Sequence, residues 1–536
     1  MPLQERFASR RVGLVCLWAL FMARGLFYIS FVPMWEGFDE WSHYAVLQNI
    51  AVGGRFLPRV DDKVSLEVQA SLALAPMPGR SLGTRHDIYW QLPEQERRKR
   101  EQELRSLPAA WARIPAGDGE RAYQGQQAPL YFWMLAPFYR LAEGLPLPSR
   151  VWFLRLFSLL LASIAIPLSY LAALKFFRER SMAFGSAALI VASPALMMTV
   201  GHIGNDSLAV LAGALLLLTL FSWKQSPQST WHATALGLAL ALALLTKAYF
   251  LALIPPLIGV AALQVVRRPA HGQTLAVFAL PLVFAAWWYA RNWSLTHSLS
   301  GEQIELAARG ATQISLAESA RGMNWIQAAD FTFLTHIWLG NWSFLVLRSW
   351  MYRFFGLAAI GAAVGLVLRM LRRPNSDLWT LIAFYASFLI ALAYHAIRTF
   401  QVEGFPGALG SYLFAIAGIE TLLVVSGLEF LTPDRWKPGI APVGILCFAA
   451  LECFGLLFYS IPYYTGFIAR LPNGGLPALQ IGQLREGGLQ TMLGRLAVNK
   501  PDFLHGAAMP ALFALFLAAT LVLAGAVLLF GRRNER

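Results

Sequence analysis

The chain has 536 residues, 57% of them apolar and only 14% charged, where a soluble domain carries roughly 25% charged residues. Two or three soluble domains would fit this length, but apolar runs recur from end to end and the mean hydropathy is +0.51, which leaves a membrane bundle. The net charge of +14 does not imply a nucleic-acid partner, because the basic residues stand in short clusters between the apolar runs, as membrane topology requires.

Arg6, Arg10 and Arg11 precede the first apolar run, Val12 to Val32. No small-residue cleavage pattern follows, so the run reads as an uncleaved span. Residues 33–150 form the longest loop. Within it, Pro93 to Leu107 reads as a solvated amphipathic helix, and Pro129 to Ala142, apolar but short, as a helix lying on the membrane surface. Further spans are predicted at 151–174, 182–200, 206–223, 231–247, 249–266 and 273–290. A second loop, 291–349, contains the interrupted apolar stretch Phe331 to Leu347, read as surface-lying too. Spans at 350–371, 378–397, 408–430 and 439–463 follow, then a third loop, 462–509, and a last span at 509–530. Each is near the roughly 20 residues that cross the hydrocarbon.

About twelve crossings with both termini cytoplasmic put every basic cluster inside. These clusters are Lys175, Arg178 and Arg180; Arg267 and Arg268; Arg369, Arg372 and Arg373; Arg435 and Lys437; and Arg532, Arg533 and Arg536. The expected protein is all-α and polytopic, one membrane domain over 1–536 in the cell inner or plasma membrane, with three large loops outside. Its three cysteines, Cys16, Cys447 and Cys453, lie in apolar runs without metal-ligand spacing.

The most informative stretch is Gly37-Phe38-Asp39-Glu40-Trp41-Ser42-His43-Tyr44, where the first span leaves the bilayer. Ionisable residues at that depth are expensive and ask for a reason. A helix starting near Gly37 lets Asp39, Glu40 and His43 share a face. A partly desolvated carboxylate there suits a general base, and its neighbours could hold a divalent cation, magnesium or manganese, or face a phosphate. The competing reading is an ordinary interfacial helix cap. Other polar residues fall at the same predicted face: Asn205 and Asp206, Lys247, Arg291 and Asn292, Arg398 and Glu403. Both signs of charge on one side suit an anionic lipid head group.

Asp39-Glu40-x-x-His43-Tyr44-Ala45 followed by Gly54-Arg55-Phe56-Leu57-Pro58-Arg59 resembles the first outer loop of the GT-C glycosyltransferases that use polyprenyl-phosphate sugars, among them the protein O-mannosyltransferases and the aminoarabinose transferases. Gln126-Gln127-Ala128-Pro129-Leu130, Asn205-Asp206-Ser207, Leu245-Thr246-Lys247, Trp288-Tyr289-Ala290-Arg291-Asn292 and Gly410-Ser411-Tyr412-Leu413 have counterparts in the same order. The likeness runs from about residue 12 to about residue 430 and is nearest to an uncharacterised bacterial branch. It implies a GT-C-like bundle whose large first loop carries juxtamembrane helices and builds the active site. It also implies inverting transfer of a sugar from a polyprenyl-phosphate donor to an acceptor hydroxyl at the periplasmic or extracellular face. By resemblance Asp39 is the base; Glu40 and His43 hold a metal or the lipid phosphate; Lys247 and Arg291 counter its charge; and Asn205, Asp206, Asn292, Gln127 and Tyr412 surround them. Gln127-Ala128 departs from the family pattern by replacing a cationic or imidazole residue and the first proline of a Pro-Pro-Leu motif, and Ser411 by replacing the arginine common before Tyr412-Leu413. Two other classes compete: a transporter or flippase for a lipid-linked glycan, and an inactive scaffold. A transporter more often carries charges near the bilayer midplane, whereas this sequence places them at one face.

Overall fold

The computed structural model describes residues 10–79, 83–177, 179–267, 271–301 and 315–531. Of the basic residues used for topology, Arg6, Arg178, Arg268, Arg532, Arg533 and Arg536 lie outside the described residues. Among those described, the only sheet is a two-residue parallel pairing of Pro76–Met77 with Thr84–Arg85; the rest is helix and connecting chain.

Among the described residues ten helices are long and apolar enough to cross a membrane, or eleven if Arg180–Ala192 and Pro194–Val200, bent by 60°, count as one. The protein is a multi-pass membrane protein. The bend follows from Ser193-Pro194: the proline cannot continue the first helix, and the Ser193 hydroxyl accepts from the Leu196 N–H at 3.3 Å to start the second. The remaining predicted span, 231–247, is the apolar helix Thr230–Leu244, short at 15 residues, yet it returns the chain to the face it left, since Lys247 just beyond it pairs with Asp206 at the start of the preceding long helix.

The helices used below are α1 (Arg10–Phe31), α2 (Glu40–Ala51), α3 (Glu94–Arg105), α4 (Leu130–Leu141), α5 (Leu147–Ser163), α6 (Arg180–Ala192), α7 (Asp206–Gln225) and α8 (Thr230–Leu244). They continue with α9 (His271–Thr296), α10 (Trp325–Ile337), α11 (Arg353–Arg372), α12 (Ser376–Glu403), α13 (Ala417–Leu431), α14 (Ile440–Gly455) and α15 (Ala508–Gly531). The predicted amphipathic helix is α3, laced by Arg98–Glu94, Lys99–Glu103 and Arg100–Glu96 pairs at i,i+4, with Leu104 buried beneath. The surface-lying segment is α4. Its 12 residues are too few to span, and it lies along α2 with Arg140 Nε donating to the Ala51 carbonyl at 2.8 Å.

Charge is not confined to one face. Arg24 of α1 meets both carboxylate oxygens of Glu452 of α14 at 2.8 Å, inside the bundle; Tyr28 adds a 2.7 Å hydrogen bond to the same carboxylate, and Arg24 also donates to Thr520 of α15. Both partners are essentially inaccessible. The pair is closed on itself and ties three spans together, the usual way to keep a charge in hydrocarbon.

Candidate functional site

Gly37 lies flat against His202: a Cβ on it would stand 2.3 Å from the His202 side chain, so only glycine allows the chain to pass there. Two residues later Asp39 adopts the left-handed conformation, φ 56° and ψ 15°, which a short polar side chain tolerates better than a bulky one. Helix α2 therefore begins one residue later, at Glu40. This single turn sends the two adjacent carboxylates in different directions.

Glu40 points inward. Arg155 of α5 clamps it with two bonds of 2.7 Å, and the Trp35 and Ile203 backbone N–H groups donate to it at 3.1 and 3.0 Å. Burial alone would raise its pKa, but the Arg155 guanidinium and these donors hold it below the ordinary carboxylate value. Glu67 is treated alike: Arg150 of α5 binds both its oxygens at 3.0 and 2.9 Å, and Gln48 donates at 2.8 Å. Glu36 accepts from the Ser343 N–H at 2.7 Å and from Tyr464 at 3.1 Å, and its other oxygen lies 2.9 Å from His86 Nε2. These three buried carboxylates fasten the first loop to α5 and to the 338–347 and 461–464 segments.

Asp39 faces the other way and is half-buried. Tyr123 Oη donates to Oδ1 at 2.6 Å and Gln124 Nε2 to Oδ2 at 2.8 Å. Both donors belong to the 3-10 turn Tyr123–Gln126, which leads into a stretch that also meets Asn205 and Leu245. Gln127 Oε1 accepts from Asn205 Nδ2 at 3.2 Å, and the Leu130 N–H donates to the Leu245 carbonyl at 3.2 Å.

Lys247 stands at the far side, paired with Asp206 at 2.5 Å and lying over the rings of Tyr249 and Tyr412 at 5.4 and 5.6 Å. Asp39 and Asp206 are both near enough to the Tyr412 hydroxyl to act on it electrostatically. His43 stacks on Phe132 with ring centroids 5.9 Å apart, its Nδ1 buried without a hydrogen-bond partner. Burial, with Lys247 and His202 nearby, drives its pKa well below the ordinary value, so it is neutral. The Asn205 Oδ1 is likewise buried and unpaired.

Arg291 forms the flank. It donates to the Pro58 carbonyl at 3.3 Å, lies 4.9 Å over Trp288, and feels the charge of Arg59. Among the described residues neither arginine has a carboxylate within ion-pair distance. The Arg59 carbonyl is so close to Gly125 that a Cβ there would stand 2.1 Å from it, which joins this flank to the turn holding Asp39. Asn292, buried, bonds the Leu299 carbonyl at 3.3 Å.

The structure thus brings Asp39, Tyr412, Asp206, Lys247, Asn205, Gln127 and His43 into one strip, with Arg291 and Asn292 at its edge. Glu40 is set apart on Arg155. The Glu40–His43 pair offers a cation one unpartnered imidazole nitrogen and a carboxylate already taken up by arginine, which does not fit a divalent ion. Among the described residues no three His, Cys, Asp or Glu side chains gather in a metal-binding group.

Sequence reasoning missed Tyr123, Gln124, Arg59, Arg150, Arg155 and His202. A signal existed for two of them: Arg150 and Arg155 open a long apolar run, where an arginine needs a buried acid. Arg59 stood in a motif but not among the candidates. Nothing local marks Tyr123 or Gln124, which meet Asp39 only through the fold of the loop.

Fold and site together define a multi-pass membrane protein with a half-open charged strip at the base of its first large loop. A family model described as "Predicted membrane protein (DUF2142)" matches residues 21–419, and the chain belongs to that family. No curated protein matches it. In structure it is similar to ArnT from Cupriavidus metallidurans bound to undecaprenyl phosphate, at 16% identity and a TM-score of 0.41, over 87% of this chain and 76% of that one. It is also similar to the Archaeoglobus fulgidus oligosaccharyltransferase in the apo form, at 12% identity and a TM-score of 0.43, over 91% of this chain and 58% of that one. These likenesses concern the course of the helices and assign no residue.

Proposed function

We propose that this protein is a membrane glycosyltransferase that moves a sugar from a polyprenyl-phosphate donor to an acceptor hydroxyl, with inversion, at the periplasmic or extracellular face. The loop face is then the outer one, and both termini are cytoplasmic. The observation that carries this is Asp39: a partly accessible carboxylate, aimed by Tyr123 and Gln124, next to the Asp206–Lys247 pair.

In the reaction Asp39 takes the proton of the acceptor hydroxyl as its oxygen attacks the sugar's anomeric carbon. The bond from that carbon to the phosphate oxygen breaks on the opposite face, and the polyprenyl phosphate leaves as an anion. Lys247 at one end of the strip, and Arg291 with Arg59 at its flank, supply positive charge already in place, so the leaving group is stabilised without reorganisation. The cation that the family pattern puts before Tyr412, where Ser411 stands here, has a substitute in Lys247 over the Tyr412 ring. The 2.5 Å contact to Asp206 orients Lys247. The Arg24–Glu452 pair lends no support to a transport pathway, since it is closed on itself.

The test supplies purified protein in lipid with radiolabelled polyprenyl-phosphate sugars and a panel of acceptors. Loss of label transfer in Asp39→Asn, with folding intact, is expected. Unchanged transfer would remove the base assignment, and movement of lipid-linked sugar across vesicles without bond cleavage would replace the transferase by a flippase.

A further inference from the structure

A cavity of about 820 Å³ lies beside the strip, reached one residue past Tyr412 at Leu413, and is walled by α6, α10, α11, α12, α13 and α14. Its walls are almost wholly apolar. The cavity is open, not enclosed, and Phe354, Leu389 and Val443, which line it from three membrane-spanning helices, are 42%, 39% and 50% exposed, so its mouth lies sideways, toward lipid. The medium at that mouth is hydrocarbon, not water.

Into this apolar space project three polar side chains. His336 Nε2 and Glu420 Oε1 are 3.0 Å apart, and Tyr385 lines the same space near enough to this carboxylate to interact with it. His336 Nδ1 lies 2.9 Å from the Gly410 carbonyl, which fixes the ring, and Phe414 stacks on it at 4.7 Å. His336, Glu420 and Tyr385 thus form one polar end in a cavity whose walls are otherwise almost wholly apolar. A large apolar pocket with a few convergent polar groups is the usual form of a ligand site.

Charge chooses the occupant. The cluster is one acid against one imidazole and has no excess of positive charge, unlike the Arg59–Arg291 flank, so it offers a phosphate no net attraction. A hydroxyl suits it, because that group can donate to Glu420 and accept from Tyr385. We propose that this cavity binds the hydrocarbon chain of an uncharged, hydroxyl-headed lipid that enters laterally from the bilayer, its hydroxyl seated on Glu420 and Tyr385. The site is separate from the transferase reading and is measured without any sugar donor.

The test uses full-length protein in phosphatidylcholine nanodiscs and a long-chain alcohol bearing a photoreactive diazirine in its chain, with the matching alkyl phosphate and methyl ether as comparisons. Labelling is expected on peptides of α12 and α13, competed by unlabelled alcohol but not by the phosphate. Ala358→Phe and Ala393→Phe, which fill the space from α11 and α12, should each lower it about tenfold or more. Glu420→Gln, which keeps the shape, should erase most of an about tenfold preference of alcohol over ether, the loss expected for one hydrogen bond to a charged group. Labelling confined to the lipid-facing sides of α9, or unmoved by either filling variant, means annular lipid only and overturns the site. Equal competition by the phosphate overturns the head-group assignment. Competition in the unmodified protein decides the matter even if a filling variant fails to fold.

Discussion

Two sets of carboxylates at the base of the first loop have opposite fates. Glu36, Glu40 and Glu67 are fully enclosed and matched by His86, Arg155 and Arg150, with backbone or side-chain donors completing several of their contacts. Asp39 and Asp206 are only partly covered, the first oriented by Tyr123 and Gln124 and the second paired with Lys247. Closure distinguishes structure from chemistry here. A carboxylate whose lone pairs are all engaged in the interior can only hold the loop, whereas one that is oriented and still reachable can accept a proton.

The comparison breaks most easily at the closed set. Arg155→Ala leaves Glu40 charged and unpaired in the interior, a loss of about 3–5 kcal/mol, and should collapse the yield of folded protein or lower the unfolding midpoint in detergent by many degrees. A midpoint near that of the parent would show that Glu40 is not enclosed. Asp39→Asn should do the reverse, keeping the melting temperature while sugar transfer falls about 10²–10⁴-fold, the range for a lost general base. Lys247→Ala should lower kcat/KM for the polyprenyl-phosphate donor by about a hundredfold, as expected for one preorganised charge on the leaving group. An equal fall for a donor analogue without the phosphate would make its role structural.

A subtler effect concerns pH. His43 is neutral when folded because burial holds its pKa below the ordinary value of about 6.5. An unfolded chain takes up a proton there that the folded one refuses, so its contribution to stability is complete above that value and declines as pH falls below it. Unfolding midpoints between pH 7.5 and 5 should slope less in His43→Gln than in the parent; parallel slopes would place the titration elsewhere. The smallest effect belongs to α3. Its Lys99–Glu103 pair is exposed on both sides, and Glu103→Ala should leave stability and transfer within error of the parent.

Much of the architecture was legible from one dimension. Hydropathy located every long helix, though several run on past their predicted ends, because a crossing segment must satisfy its own backbone and face hydrocarbon, a constraint written locally. At Thr230–Leu244 it found a helix of only 15 residues, whose return to the face of Asp206 is visible in the Asp206–Lys247 pair. Motif order also found Asp39, Asp206, Lys247 and Tyr412, which do converge. It grouped Glu40 with them because helical spacing alone puts i and i+3 on one face, and it could not foresee the left-handed residue that starts α2 after Asp39.

The sequence by itself therefore determined a polytopic helical bundle, its large first loop and the polar motifs that meet at the base of that loop. Only the tertiary structure decided that Glu40 belongs to Arg155, that Tyr123 and Gln124 aim Asp39, that Arg24 meets Glu452 between spans, and that a cavity opens beside His336. The reason is physical. Hydrophobicity and helical period act between near neighbours in the chain, while the partner of a buried charge is whichever opposite group the packing brings within about 3 Å, which for Arg24 is a glutamate 428 residues away.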